Sequence, residues 1–123
     1  MYHYDIFYFN DKIEDQIIKE GIITRELIQI AEGKETDRLF LQFQPILDVE
    51  SNRISGFEAL VRLRSRKLGM ISPNEFIPIA ERKKLIIPIG DLIIDGALRF
   101  LTKLRETGRT DLTVSINIST IQL

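Results

Sequence analysis

The sequence contains no cysteine, a single histidine and no long hydrophobic run. The absence of cysteine excludes disulfides, thiolate metal sites and a cysteine nucleophile, and it is consistent with a reducing compartment. The N-terminus has neither a basic start nor an apolar stretch of signal-peptide or membrane-spanning length, so we expect a cytoplasmic protein without a membrane segment. The histidine, His3, lies in the N-terminal tail, where we expect it to be solvated rather than catalytic.

The sequence also lacks an excess of charge of either sign. Its 17 Lys and Arg residues stand against 18 Asp and Glu residues, which leaves a net charge of -1. Nothing in this balance would attract an anionic membrane or a long nucleic acid. There is no glycine-rich phosphate loop, zinc-ligand spacing or Ser-His-Asp set. The 123 residues, 44% of them hydrophobic, fit one small domain or a piece of a larger one.

The N-terminal part of the chain is predicted to be a helical arm. We expect its helix to be weakened at Gly21, to restart near Thr24 and to stop around Gly33. The predicted apolar positions of this helix are Ile13, Ile17, Ile18, Leu27, Ile28 and Ala31. A polar stretch follows, so we place a boundary there, with an arm and linker helix over residues 1–36 and a domain over residues 37–123.

Two segments with alternating side chains begin that domain. In LFLQFQPIL, from Leu39, the residues Gln42 and Gln44 share one face. In GFEALVRL, from Gly56, the residues Glu58 and Arg62 share a face with Leu60. The turn between the two segments is too short for a parallel crossover, which needs roughly a dozen residues or more. The segments are therefore predicted to form an antiparallel hairpin.

Two helices and a strand are predicted next. Ser72 as N-cap, with Glu75 three residues later, gives a capping box, and Pro78 is expected to distort or end the first turns of that helix. A second helix is predicted from near Asp91 to a stop at Gly108. The segment LTVSINIS then alternates, and its polar face is Thr113, Ser115, Asn117 and Ser119. This order of strands and helices predicts an α/β fold with polar strand faces gathered on one side of the sheet.

Four polar residues from three predicted strands form the candidate site: Gln44, Glu58, Arg62 and Asn117. A buried, unpaired carboxylate costs several kcal/mol, so Glu58 must be exposed, paired or bound to a cation. Carboxylate and amide oxygens suit Mg²⁺ or Mn²⁺, and a guanidinium suits a phosphate oxygen. On the residues alone the alternative stays open that Glu58 and Arg62 are solvated surface charges.

Four motifs in order make the chain from about Phe40 to Leu123 resemble the N-terminal part of an EAL domain, the bacterial module that hydrolyses cyclic di-GMP. The motifs are FQPILD from Phe43, GFEALVRL from Gly56, SPNEFIPIAE from Ser72 and VSINISTIQL from Val114. The arm also resembles the tail of a preceding regulatory domain of the GGDEF type with its linker helix.

This resemblance implies an incomplete TIM-like (β/α) barrel whose first strand is antiparallel. It implies that Glu58 and Asn117 bind Mg²⁺ or Mn²⁺, that Gln44 and Leu60 contact the dinucleotide, and that Arg62 holds a phosphate. The family reaction opens one phosphodiester bond of cyclic di-GMP to give the linear dinucleotide.

The resemblance also has a gap, because the family's later acidic ligands and its lysine have no counterpart in this sequence. A full barrel of this kind takes about 250 residues. We therefore expect a truncated EAL domain that is inactive by itself and that self-associates or docks to a missing half or a regulatory domain. The alternative is a catalytically dead signalling module that binds a protein partner or senses cyclic di-GMP.

Overall fold

The computed structural model describes residues 11–116. Three helices, one 3-10 turn and four strands make up this part of the chain. In chain order they are α1 (Asp11–Ala31), the 3-10 turn Thr36–Arg38, β1 (Leu39–Asp48), β2 (Arg53–Ser65), β3 (Gly69–Ile71), α2 (Pro73–Arg82), α3 (Ile86–Glu106) and β4 (Thr113–Ile116). None of the helices among residues 11–116 has the length and apolarity that crossing a bilayer requires.

Strand β2 is the centre of the sheet, and it pairs with the three other strands. It pairs antiparallel with β1 along nearly the whole length of both, from Leu39 opposite Leu63 to Asp48 opposite Arg53. The predicted hairpin is thus confirmed. One irregularity between Ile46 and Leu47 shifts the register near the turn.

The other side of β2 is shared between two shorter strands. β3 pairs antiparallel with the C-terminal end of β2, and β4 pairs parallel with its middle, from Gly56 opposite Thr113 to Ala59 opposite Ile116. The parallel connection runs through α2 and α3, as the α/β prediction requires. β3 was not predicted, because three residues after a basic loop carry too little alternation to signal a strand.

Helix α1 is continuous from Asp11 to Ala31, so the predicted weakening and restart around Gly21 is wrong. The helix buries Ile23, Leu27 and Ile30, each at most 1% exposed, in the core that also contains the sheet residues. This packing outweighs the cost of a glycine inside a helix, which is only about 0.5–1 kcal/mol. The boundary between residues 36 and 37 stays a prediction.

Helix α2 begins as predicted, and it differs from the prediction in two details. The Ser72 hydroxyl accepts a hydrogen bond from the Asn74 amide at 3.2 Å, which confirms the N-cap. Glu75 forms an ion pair with Lys19 of α1 at 2.8 Å, so its carboxylate links two helices. Pro78 lies inside the helix without ending it. The lost backbone hydrogen bond is offset by the burial of the surrounding side chains, which are Phe76, Ile77, Ile79 and Ala80.

Helix α3 starts at Ile86, five residues before the predicted Asp91, because Ile89 is buried in the core and extends the apolar face toward the N-terminus. It ends at Glu106, and Gly108 follows with a φ of 88°. A glycine in this left-handed conformation is the common C-terminal stop of a helix, which confirms that prediction.

Polar side chains attach α1 and the following loop to the turn between β2 and β3. Glu26 of α1 accepts a hydrogen bond from the buried Ser65 hydroxyl at 2.7 Å and another from the Arg66 amide at 3.2 Å. Glu35 binds the side chains of Arg66 and Arg38. The hydrogen bond from Arg66 holds the pKa of the Glu35 carboxyl below its ordinary value, so this ion pair weakens as acid protonates Glu35.

Candidate functional site

The sheet has an apolar face toward the helices and a second face with most of the predicted site residues. Alternation along β2 sends Ala59, Val61 and Leu63 into the core. The register then assigns the remaining positions to the opposite face, because cross-strand partners lie on the same side of a sheet. We call this second surface the polar face, and its members are Gln42, Gln44, Glu58, Leu60, Arg62 and Ser115.

Glu58 is the centre of a row that crosses three strands. Gln44 of β1 is its antiparallel partner and Ser115 of β4 is its parallel partner. Glu58 is half-buried, while Gln44 and Ser115 are exposed. The structure therefore brings together Gln44 and Glu58, as predicted from the sequence. Asn117, the second predicted ligand, lies outside the described residues.

Arg62 is held against the sheet by a side chain of the neighbouring strand. Its Nε donates to Oε1 of Gln42 at 2.9 Å, and Nη1 donates to the Val61 carbonyl at 3.3 Å. Gln42 lies opposite Leu60, so this contact runs diagonally between β1 and β2. A guanidinium fixed in this way is oriented before any ligand arrives, which lowers the entropic cost of binding an anion.

Aromatic packing on the apolar face keeps these strands in place. Phe43 of β1 stacks on Phe100 of α3, with ring centroids 3.7 Å apart and planes 8° apart. Phe57 of β2 meets the same ring edge-on at 5.2 Å. Phe43 and Phe57 are the sequence neighbours of Gln44 and Glu58. One ring of α3 therefore fixes the strand segments from which both polar side chains project.

Gly56 allows β4 to approach β2 beside Glu58. A methyl group built on Gly56 would lie 2.5 Å from Thr113 Oγ1 and 2.6 Å from the Thr113 carbonyl oxygen. Part of this obstacle is backbone, so a change of rotamer cannot relieve it. Glycine is required here because the two backbones are close, and the Gly56–Thr113 pair precedes the Glu58–Ser115 pair by two residues.

The variant Gly56→Ala is expected to push β4 away from β2. We expect the free energy of unfolding to fall by about 1–3 kcal/mol, the usual cost of an overpacked interior position. Urea denaturation followed by circular dichroism measures this change. The matched control is Gly96→Ala in α3, where the added methyl meets only a flexible Leu41 methyl at 3.2 Å. Equal stability of the two variants would contradict the close approach of β2 and β4.

The row of Gln44, Glu58 and Ser115 offers hard oxygen donors, which suit Mg²⁺ or Mn²⁺ in kind. The row has too few ligands to bind either ion alone, because it contributes only one carboxylate and Mg²⁺ takes six ligands. Among residues 11–116 there is no group of three or more His, Cys, Asp and Glu side chains that could hold a metal ion. The described residues therefore fit one side of a cation site.

Two members of the polar face were not among the predicted site residues. Gln42 was assigned to the face of Gln44, and Ser115 to the face of Asn117, but neither was given a role. Their importance follows from the register, which places Gln42 next to Arg62 and Ser115 next to Glu58. Alternation in the sequence reports which face a residue occupies and does not report its neighbour on the next strand.

Comparison with known proteins shows what this chain is similar to. The EAL domain family model matches residues 26–123. The signaling protein YkoW of Bacillus subtilis is 38% identical over 104 residues, which are 85% of this chain and 13% of YkoW. The bifunctional diguanylate cyclase/cyclic di-GMP phosphodiesterase MucR of Pseudomonas aeruginosa is 31% identical over 96 residues, which are 78% of this chain and 14% of MucR.

A solved structure gives the same result for the fold. The PaMucR phosphodiesterase in its c-di-GMP complex superposes with a TM-score of 0.67 at 30% identity, over 76% of this chain and 37% of the PaMucR chain. The predicted fold class and the resemblance to an EAL domain are confirmed by this match. The resemblance of the arm to the tail of a GGDEF-type domain stays a prediction. The chain thus spans about a seventh of the length of these curated relatives and about a third of the solved domain.

Proposed function

Since the chain belongs to the EAL domain family, we propose that its polar face is part of a site for metal-dependent hydrolysis of cyclic di-GMP to the linear dinucleotide. The observation that carries the proposal is the alignment of Gln44, Glu58 and Ser115 across three strands, with Arg62 on the same face four residues further along β2. A carboxylate and an oriented guanidinium on the same face of the sheet suit a ligand that contains both phosphate and a divalent cation.

Glu58 and Asn117 are assigned to the cation. The proposal for Asn117 rests on the sequence, in which it follows Ser115 by two residues and so has the same parity in the alternating pattern. The remaining oxygen ligands come from outside the described residues. When bound, the Mg²⁺ or Mn²⁺ ion supplies a water of lowered pKa and neutralises charge on phosphoryl oxygens.

Arg62, Gln44 and Leu60 are assigned to the dinucleotide. Arg62 offers N–H groups to a phosphate oxygen while Gln42 keeps its guanidinium along the sheet. Gln44 lies opposite Glu58, where an amide can hydrogen-bond to a nucleobase edge or a phosphate. Leu60 is half-buried between Glu58 and Arg62 and offers apolar contact.

A docking surface is part of the same proposal. Among the described strands β1 pairs only with β2, so its other edge is open. An apolar groove with basic residues at its rim runs along this edge, and it is lined in part by Leu39, Leu41, Phe43, Leu92, Phe100 and Lys103. We assign the edge and the groove to the further elements of an EAL barrel, supplied by the same polypeptide or by another one. We also assign the protein to the cytoplasm, in keeping with its lack of cysteine.

A second candidate function is binding of cyclic di-GMP without hydrolysis. The absence of a multi-ligand metal group among residues 11–116 favours it for this chain taken alone. Arg62 and Gln44 have no need of such a metal group, because they can bind the dinucleotide even when no metal ion is present to activate a water. The two functions differ in one measurable respect, because a sensor binds the ligand and leaves it intact.

Two measurements test the proposal. Calorimetry of the chain with cyclic di-GMP and Mg²⁺ measures binding, and chromatography of the mixture detects the linear product. We expect no appreciable hydrolysis, and a normal enzymatic rate would contradict the assignment of missing ligands to other segments. Binding without turnover favours the sensor.

The stronger test is a chimera in which residues 26–123 replace the matching segment of the PaMucR phosphodiesterase domain. We expect this PaMucR chimera to hydrolyse cyclic di-GMP in the presence of Mg²⁺ or Mn²⁺. A chimera that folds and binds cyclic di-GMP but does not hydrolyse it would favour the sensor. A folded chimera that does neither would contradict both candidate functions.

A further inference from the structure

Helix α1 has a second surface that does not face the core, with an exposed isoleucine near each end and two small residues between them. Its members are Ile17, Gly21, Thr24 and Ile28, and we call this surface the outer face of α1. Successive members are four, three and four residues apart, so they follow one side of the helix. Ile17 is 57% exposed and Ile28 is 39% exposed. A methyl group on Gly21 would meet nothing within 4 Å, so the middle of this surface is open to a close neighbour.

We propose that two copies of this chain associate by packing the outer faces of their α1 helices against each other in parallel. The spacing of four, three and four is the spacing of residues that meet in a two-stranded coiled coil. Gly21 at the centre lets the two helices approach closely. This contact is separate from the open edge of β1, and it does not depend on the proposed phosphodiesterase function.

The exposed start of α1 supports a partner for this helix. Residues 11–18 are all exposed, so the first two turns gain little from burial against the other described residues. Such a helical segment is marginal in water by itself, because helices depend chiefly on tertiary packing for their stability. Ile17 and the adjacent Ile18, which is 54% exposed, would bury apolar surface in the dimer.

Charge complementarity selects the second copy and its direction. Glu20 and Arg25 lie on opposite sides of the outer face and are five residues apart. At this spacing, flanking residues of two parallel helices face each other across the contact. Glu20 of each copy therefore meets Arg25 of the other copy, which gives two symmetric ion pairs. Glu20 already binds Arg82 of its own chain through Oε1, and its carboxylate can accept further hydrogen bonds. In an antiparallel pair the side of the helix that carries Glu20 would instead face the same side of the second copy, which brings like charges together.

Pairing of α1 would also fix how the two sheets are arranged. Glu26 connects α1 to the end of β2 through Ser65 and Arg66, and β2 carries Glu58 and Arg62. A single helix pair is smaller than a standard interface of about 1,200–2,000 Å². We therefore expect a dimer whose population depends on concentration, observable by sedimentation over a dilution series.

Single cysteines test the contact directly, because the native sequence has none. Gly21→Cys is expected to form a disulfide between two copies at least about tenfold faster than Gln29→Cys, an exposed position of α1 away from the outer face, because proximity raises the effective concentration. In the parallel pair, the cysteine of Ile17→Cys forms a disulfide with its counterpart in the second copy, and the cysteine of Ile28→Cys does the same. Both links form although the two positions are about 16 Å apart along the helix. An antiparallel pair allows at most one of these two links. Equal rates for Gly21→Cys and Gln29→Cys would overturn the proposal, and failure of either self-link would overturn its parallel direction.

Sedimentation of a charged variant gives an independent test. The double variant Ile17→Glu, Ile28→Glu is expected to be monomeric at concentrations where the native chain dimerises. The control is Leu98→Glu on α3, which changes an equally exposed apolar residue (56%) and should leave the dimer intact. Circular dichroism confirms that each variant is folded. Association that persists in the double variant, or that is lost equally in the control, assigns the contact to another surface and refutes the pairing of α1.

Discussion

Replacement of Glu58 by glutamine in the PaMucR chimera is expected to lower metal-dependent hydrolysis of cyclic di-GMP by at least about 100-fold. Loss of an outer-shell partner of a metal ligand alone costs roughly 10–100-fold in metal affinity or activity, so loss of a direct carboxylate ligand should cost no less. The substitution keeps the size of the side chain and one of its oxygens, replaces the other oxygen by an NH2 donor and removes the charge. Glu58 is half-buried at the centre of the row that crosses three strands.

Three measurements separate this role from a structural one. The thermal midpoint of the variant should stay close to that of the unmodified chimera. The concentration of Mn²⁺ needed for half-maximal activity should rise, because the site has lost a charged ligand. Glu50→Gln, in the exposed turn between β1 and β2, is the matched control and should keep full activity. Retained turnover in Glu58→Gln would remove Glu58 from the site.

The sequence was sufficient to predict the strands that carry this site. The alternation in β1 and β2 predicted the face of Gln44, Glu58 and Arg62, and the short turn predicted their antiparallel pairing. The register could not be predicted, because an irregularity between Ile46 and Leu47 shifts it and leaves no signal in residue type. The contact between Gln42 and Arg62 depends on that register, which is why Gln42 was not recognised as the residue that orients the guanidinium.

The helices show where local propensity was overruled by packing. Gly21 was expected to weaken a helix that then restarts, and Pro78 to distort or end one, but neither residue ends its helix. Their costs are local and small compared with the burial of the core residues on the same helices, which the single sequence does not reveal. Of the three buried residues of α1, only Leu27 was among the predicted apolar positions, and Ile23 and Ile30 were missed. The division between the residues that meet the core and those on the outer face required the structure.

A chain that begins at residue 37 is expected not to fold, and this is the largest effect on stability that we predict. The truncation removes Ile23, Leu27 and Ile30 from the core. Full burial of such a side chain contributes about 1.5–3 kcal/mol, so the three together contribute about 4.5–9 kcal/mol. A native domain of this size is stable by only about 5–15 kcal/mol. The truncation also leaves the buried Ser65 hydroxyl without the Glu26 carboxylate.

Two longer chains serve as controls for this truncation. A chain of residues 11–123 keeps all of α1, and a chain of residues 19–123 removes only exposed turns of that helix while keeping its buried residues. We expect cooperative urea transitions for both controls and none for residues 37–123. If residues 37–123 instead unfolded cooperatively, at the same urea concentration as residues 11–123, the result would support a domain boundary after residue 36. Since β2 carries Glu58 and packs in the same core, loss of α1 should also abolish any binding of cyclic di-GMP to the isolated chain.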